Sequence, residues 1–145
     1  MVSSSKASMD RLVARARKVR EHAFVAASGF RVGAAVLTRS GKVFAGCNVE
    51  NASYGLTICA ERAAVCAAIA AGEREIVAVA IVTDLDEPAR PCGACRQVLA
   101  EFAQKRAGMT VVMAGRGRVR REAKLATLLP EAFTFDDVAR GRDGG

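Results

Sequence analysis

The sequence predicts an α/β domain built on one mixed sheet of about five strands covered by helices, and three observations carry that expectation. Hydrophobic residues make up 51% of a 145-residue chain, enough to bury a sizeable core at ordinary single-domain length. Apolar runs of strand length alternate with alanine-rich stretches of helical length. With only 3 Pro and no Trp, the composition fits an ordered domain rather than a disordered chain. Residues 1–135 are expected to form that one domain and residues 136–145 a flexible C-terminal tail.

Ser8 or Asp10 can cap a first helix, in which Leu12, Val13, Ala16, Val19, Ala23 and Phe24 recur at helical spacing and which is expected to end near residues 28–29. Two β-rich runs, 31–38 and 43–49, flank Arg39-Ser40-Gly41-Lys42 and read as a hairpin. A loop of Asn, Ser, Tyr and Gly over 51–57 leads into an alanine-rich helix over 59–71. Gly72 terminates it, and its small side chains predict burial on all sides. Residues 76–82 are apolar and short enough for a central strand, 84–91 form a turn-rich loop, and 92–105 form a helix after Pro91. Strands over 110–114 and 119–123 and a short helix over 125–129 complete the order α-β-β-α-β-α-β-β-α, without internal repeats.

The net charge of +7 would suit a nucleic-acid partner, but its distribution argues against one. The basic excess lies in the first helix and after Arg116, while the middle of the chain is close to neutral, so solvated faces account for it. The first ten residues lack the apolar stretch of a secretory signal, and the longest apolar run, 63–71, is too short to cross a bilayer. A cytoplasmic protein without a membrane partner is expected. In a reducing compartment, five cysteines point to metal-binding or catalytic thiolates rather than disulfides.

Those thiolates have a pattern. Cys59-Ala60-Glu61 is followed about thirty residues later by Pro91-Cys92-Gly93-Ala94-Cys95, the arrangement of zinc deaminases in which cysteine replaces the first histidine ligand. Cys59, Cys92 and Cys95 would hold one Zn2+ and leave a coordination position for water. Both cysteine groups fall at helix starts, where the macrodipole and free N–H groups favour thiolates. Glu61, two residues beyond Cys59, can move the protons without being a ligand, and Arg62 can hydrogen-bond the ligand sulfurs and offset the negative charge of three thiolates. The blander readings are a thioredoxin-like redox pair at Cys92 and Cys95 with Cys59 merely buried, and a catalytically dead zinc module. Cys47 and Cys66 lack ligand spacing and are expected in the core; His22, the only histidine, is expected as a surface or packing residue.

The stretch from Gly46 through Asn48-Val49-Glu50-Asn51-Ala52-Ser53-Tyr54 to Cys59-Ala60-Glu61-Arg62, with Pro91-Cys92-Gly93-Ala94-Cys95-Arg96-Gln97-Val98-Leu99, closely resembles the small homotetrameric cytidine deaminases of nucleoside salvage. The likeness extends more loosely from Phe30-Arg31-Val32-Gly33-Ala34-Ala35 to Leu128-Leu129-Pro130-Glu131-Ala132-Phe133. It implies a three-layer α/β/α sandwich, a homotetramer, and hydrolysis of cytidine and deoxycytidine to uridine and deoxyuridine plus ammonia. It also implies that Asn48 and Glu50 bind the ribose 3′-hydroxyl, that Phe30 packs against the nucleoside, and that the Ala60 backbone holds the pyrimidine. Ala52, Tyr54 and Phe133 would complete a neighbouring subunit's pocket. One departure stands out: Ala26-Ala27-Ser28-Gly29 occupies the place where the family often carries Pro-Tyr-Ser before the phenylalanine. The alternatives within the chemistry are a deaminase of a cytosine nucleoside antibiotic such as blasticidin S, which Asn48 and Glu50 disfavour, and a nucleic-acid deaminase. The latter would want a basic channel with stacking aromatics.

Overall fold

A computed structural model describes residues 5–103 and 108–143 of the chain. Their elements run α1 (Lys6–Arg20), β1 (Val32–Thr38), β2 (Val43–Cys47), a 3-10 turn (Tyr54–Leu56), α2 (Ala60–Ala70), β3 (Ile76–Thr83), α3 (Gly93–Phe102), β4 (Thr110–Ala114), β5 (Arg120–Lys124), α4 (Leu125–Leu128) and α5 (Phe135–Asp143). The strands form one five-stranded sheet in the order β2-β1-β3-β4-β5. Only the β3–β4 pair is parallel, and α3 lies in its crossover.

Alternation along the central strands sorts side chains into two cores. Ala35 and Leu37 of β1, with Ala78, Ala80 and Val82 of β3, pack against Met9, Leu12 and Ala16 of α1. Ala34, Val36, Val79 and Ile81 face the other way, onto Ala60, Ala64, Val65 and Ala68 of α2 and Leu99 of α3. The result is the expected three layers, with α1 on one face and α2 and α3 on the other. Two glycines set how closely the layers approach. A Cβ on Gly33 would lie 2.0 Å from the Ala16 carbonyl oxygen of α1, and one on Gly46 would lie 2.4 Å from the Ala64 nitrogen of α2. Gly46→Ala should therefore push α2 off the sheet and destabilise the protein by about 1–3 kcal/mol. Urea unfolding measures that loss, and because the same Cβ would meet the Ala60 carbonyl oxygen at 2.8 Å, the start of α2 should shift as well.

Several local expectations are corrected. Helix α1 is capped by Ser5, whose Oγ accepts from the Ser8 N–H, rather than by Ser8 or Asp10. It ends at Arg20 rather than near 28–29, because Phe24 leaves it to exchange backbone hydrogen bonds with Asn48 and Glu50. Helix α2 is not buried on all sides: Cys66, Ala67 and Ala70 face outward, since a single sheet covers only one side of it. Cys66 is thus exposed rather than in the core, and Cys47, at the end of edge strand β2, is half-buried. The strand expected over 119–123 is shifted by one residue, and the end of α3 expected at 104–105 falls outside the described residues. Helix α5 occupies most of the segment read as a tail. Asp137 accepts from the Thr134 N–H and hydroxyl at its start, and Asp136 and Asp137 in the first turn with Arg140 and Arg142 in the last complement its dipole. Basic α1 has a structural use for one of its charges: Arg17 donates to the carbonyls of Gly115, Arg116 and Gly117 and ties down the β4–β5 connection.

Candidate active site

Helices α2 and α3 begin beside the C-terminal end of β3, the position where open α/β sheets gather binding sites. Cys59 is the N-cap of α2 and Cys92 the N-cap of α3, and neither side chain caps its own helix, so both sulfurs remain available. Cys95, in the first turn of α3, is fully buried. The Cys59 and Cys92 sulfurs lie 4.0 Å apart and those of Cys92 and Cys95 3.5 Å apart, well beyond the ~2 Å of a disulfide. All three lie within 4.8 Å of one another, and among the described residues no fourth His, Cys, Asp or Glu joins the group.

Electrostatics separates the thiols. The Cys59 thiol is lowered to about 5, first by its hydrogen bond with Cys95 and then by the Arg62 guanidinium, whose Nη2 lies 3.6 Å from Cys59 Sγ. Cys95, set against Cys59 and buried beside Glu61, is pushed the other way. Arg62 also donates to the Thr57 carbonyl at 3.1 Å, which fixes its guanidinium against the start of α2. The sequence suggested Arg62 as a partner of the clustered sulfurs, and among them it reaches Cys59.

Glu61 is 5% exposed, and its Oε2 lies 3.6 Å from Cys95 Sγ. Burial raises its carboxyl above the usual range, and the nearby Cys59 adds to the rise. A carboxyl raised in the folded state favours folding while protonated and loses that advantage as pH rises from its unfolded value through its folded value. In metal-stripped protein, Glu61→Gln should therefore raise Tm by a few degrees at pH 7 and confer little at pH 4, where the wild-type carboxyl is itself neutral. Calorimetry at the two pH values checks the difference.

A cavity of about 170 Å³ opens onto Cys59 and Cys92 and is lined by Phe30, Asn48, Ala60 and Glu61, together with Val32, Thr57, Ile81, Thr83, Ala89 and Arg90. Phe30, Asn48 and Ala60 thus share one cavity with Cys59, Cys92 and Glu61. Asn48 is nearly buried and bridges the chain: its Oδ1 accepts from the Val32 N–H at 2.8 Å and its Nδ2 donates to the Phe30 carbonyl at 2.9 Å. Glu50 lies elsewhere. It lines a neighbouring hollow of about 420 Å³ with Phe24, Ala52 and Tyr54, and its Oε1 accepts from the Ser28 and Ala27 N–H groups, which hold its carboxyl below the usual range. Phe133 is 64% exposed and lines neither cavity, although its carbonyl accepts from Gln97. Thr83 and Arg90 were not anticipated. Strand alternation from Ile81 could have found Thr83, whereas Arg90 sat in a loop read only for its turns.

Residues 6–112 match the family model of the cytidine and deoxycytidylate deaminase zinc-binding region. The chain belongs to this deaminase family. It is 47% identical to a cytidine deaminase of Halalkalibacterium halodurans, across 90% of this chain and 98% of that one. It is 43% identical to a cytidine deaminase of Sporosarcina psychrophila, across 90% and 95%. Among solved structures, the cytidine deaminase of Burkholderia pseudomallei superposes with a TM-score of 0.81 at 46% identity, covering 86% of this chain and 98% of that one. That of Mycobacterium tuberculosis superposes with a TM-score of 0.75 at 41% identity, covering 87% and 97%. These four relatives are matched over nearly their whole length, and the two solved structures share the fold. The deaminase family's zinc-binding region contains all three cysteines of the cluster.

Proposed function

We propose that the chain hydrolyses cytidine and deoxycytidine to uridine and deoxyuridine plus ammonia, with Cys59, Cys92 and Cys95 holding one zinc ion. The observation that carries the reading is the buried Glu61 carboxyl, 3.6 Å from the Cys95 sulfur and on the wall of a cavity that Cys59 and Cys92 also line. The donor set fits the metal. Thiolates at the ~2.3 Å bond length of tetrahedral zinc stand about 3.8 Å apart, against the 3.5 and 4.0 Å found here. When bound, zinc with three protein ligands supplies an open position at which water becomes acidic enough to act as a nucleophile near neutral pH.

The chain's own groups do the rest. Glu61 takes the proton of the attacking water and delivers it to ring N3 as the oxygen adds to C4. It then carries a proton to the amine leaving C4, so that one water is consumed and one ammonia released. Its raised pKa suits a group that must both accept and give protons. Arg62 offsets the negative charge of the thiolate cluster through Cys59. Phe30 and the Ala60 backbone hold the base, while Asn48 reads the sugar with whatever hydrogen-bonding capacity its two backbone contacts leave. Glu50 contributes from the adjoining hollow.

Four chains assemble in this reading, with Ala52, Tyr54 and Phe133 closing the pocket of a neighbour. The exposure of Tyr54 (76%), Phe133 and the apolar Phe24 and Leu56 supports it, because such surface is commonly covered by a partner. Among the described residues no helix is long and apolar enough to cross a membrane, and all five cysteines are free thiols. The cytoplasm, where thiols stay reduced, fits that state. The substrate is tested by following loss of cytosine-ring absorbance with cytidine, deoxycytidine and blasticidin S in separate reactions. The reading expects turnover of the first two; turnover of blasticidin S alone would make the protein an antibiotic deaminase.

A further inference from the structure

Phe30 forms part of the cavity wall from the connection between α1 and β1, with no helix or strand of its own to hold it. Three side chains bind the backbone around it instead. Ser28 Oγ accepts from the Phe30 N–H at 3.0 Å, Asn48 Nδ2 donates to the Phe30 carbonyl at 2.9 Å, and Asp84 Oδ2 accepts from the Arg31 N–H at 3.0 Å. Asp84 comes from farthest away in sequence, 53 residues beyond Arg31, directly after the last residue of β3.

Its carboxylate is held on two sides. Arg31 grips both oxygens, with Nε 3.1 Å from Oδ2 and Nη2 3.3 Å from Oδ1, while its Nη1 donates to Glu21 at 2.9 Å. Arg20, at the end of α1, places Nε 3.7 Å from Asp84 Oδ1 and donates from Nη1 to the carbonyl of Thr83, another residue of the cavity wall. A guanidinium fork on a carboxylate fixes orientation as well as distance. The arrangement fastens the cavity-forming end of β3 to the backbone that carries Phe30.

We propose that Asp84 is a positioning residue for substrate: by binding the Arg31 N–H and guanidinium, it holds Phe30 in place on the cavity wall and sets nucleoside affinity rather than the rate of the chemical step. The proposal rests on the deaminase reading for its substrate. Asp84 is absent from the cavity lining, whereas Phe30 belongs to it, so a base bound in that cavity would meet Phe30 and not the carboxylate. A loosened Phe30 would have to be ordered on binding, a cost shared by ground and transition states, which appears in KM and not in kcat.

The test uses metal-loaded wild type, Asp84→Ala and Asp84→Asn. With cytidine, Asp84→Ala should raise KM about tenfold and leave kcat within about twofold of wild type. Asp84→Asn, whose amide oxygen can still accept from the Arg31 N–H, should recover part of the loss. Independently of turnover, hydrogen exchange at the Arg31 amide should quicken about tenfold in Asp84→Ala, while the amides of Val79 and Ala80 in mid-β3 keep their protection. A folded Asp84→Ala with unchanged KM, a loss confined to kcat, or unchanged exchange at Arg31 would overturn the proposal. If Asp84→Ala does not fold, Asp84→Asn decides it by the same two readouts, a KM rise of about threefold supporting it and none opposing it. Should wild type turn over no cytosine nucleoside, the deaminase reading fails, and the exchange measurement still decides whether Asp84 holds the Phe30 segment.

Discussion

Glu61→Gln should lower kcat on cytidine by about 10³-fold or more while leaving zinc bound at one per chain, because in the proposed mechanism Glu61 performs each proton transfer and an amide can neither accept nor return a proton. The substitution keeps the size of the side chain, and Glu61 lies outside the three-sulfur group, so metal content has no reason to change. The same change should stabilise the metal-stripped fold at neutral pH, since burial penalises the carboxylate and not the amide. A site that gives up stability to keep an ionisable group buried beside its chemistry is a familiar trade. A rate near that of wild type would remove Glu61 from the mechanism.

Cys95→Ser should be as severe by a different route. Cys95 is the fully buried member of the cluster, 3.5 Å from Cys92 and hydrogen-bonded to Glu61, so in the proposed site its replacement would remove a soft ligand and disturb the proposed proton carrier together. Zinc per chain after dialysis against a mild chelator should fall close to zero, and turnover should fall with it. A Cys66→Ser variant, altered at an exposed sulfur outside the cluster, should retain both. Full metal retention in Cys95→Ser would mean that the ion is held elsewhere.

The parts of this enzyme that were legible in its sequence are those fixed by local chemistry. The hairpin was announced by Gly41, which adopts a positive φ of 90°, and the end of α2 by Gly72, at 92°. The thiol cluster was legible because two cysteines three apart at a helix start can bind one metal ion, and a third at another helix start completes the set. What the sequence concealed depends on contacts between distant segments. The end of α1 was misplaced because Ala23 and Phe24 fit helical spacing, while the pairing of Phe24 with Val49, which draws it out of the helix, leaves no local mark. The resemblance puts Asn48 and Glu50 on one ribose but leaves open how the backbone carries each of them. The strand stops at Cys47, and Val49 bridges both Phe24 and Ile58, so the two side chains enter different cavities. Asp84 gave no signal within a turn-rich loop, because its partners Arg20 and Arg31 belong to the other end of the domain's chain. The exposed outer face of α2 escaped a reading that took small side chains as a sign of burial, when they equally permit a close approach to one neighbour.

The central claim is that the three cysteines and Glu61 together form a zinc-dependent cytidine-hydrolysing centre, and a zinc titration tests it most directly. Protein stripped of metal is given zinc in steps while loss of cytidine absorbance is followed at each step. The account predicts a rate that starts near zero, rises in proportion to added zinc and levels off at one ion per chain. A rate indifferent to zinc, or a fully loaded protein that leaves cytidine and deoxycytidine untouched, would contradict it.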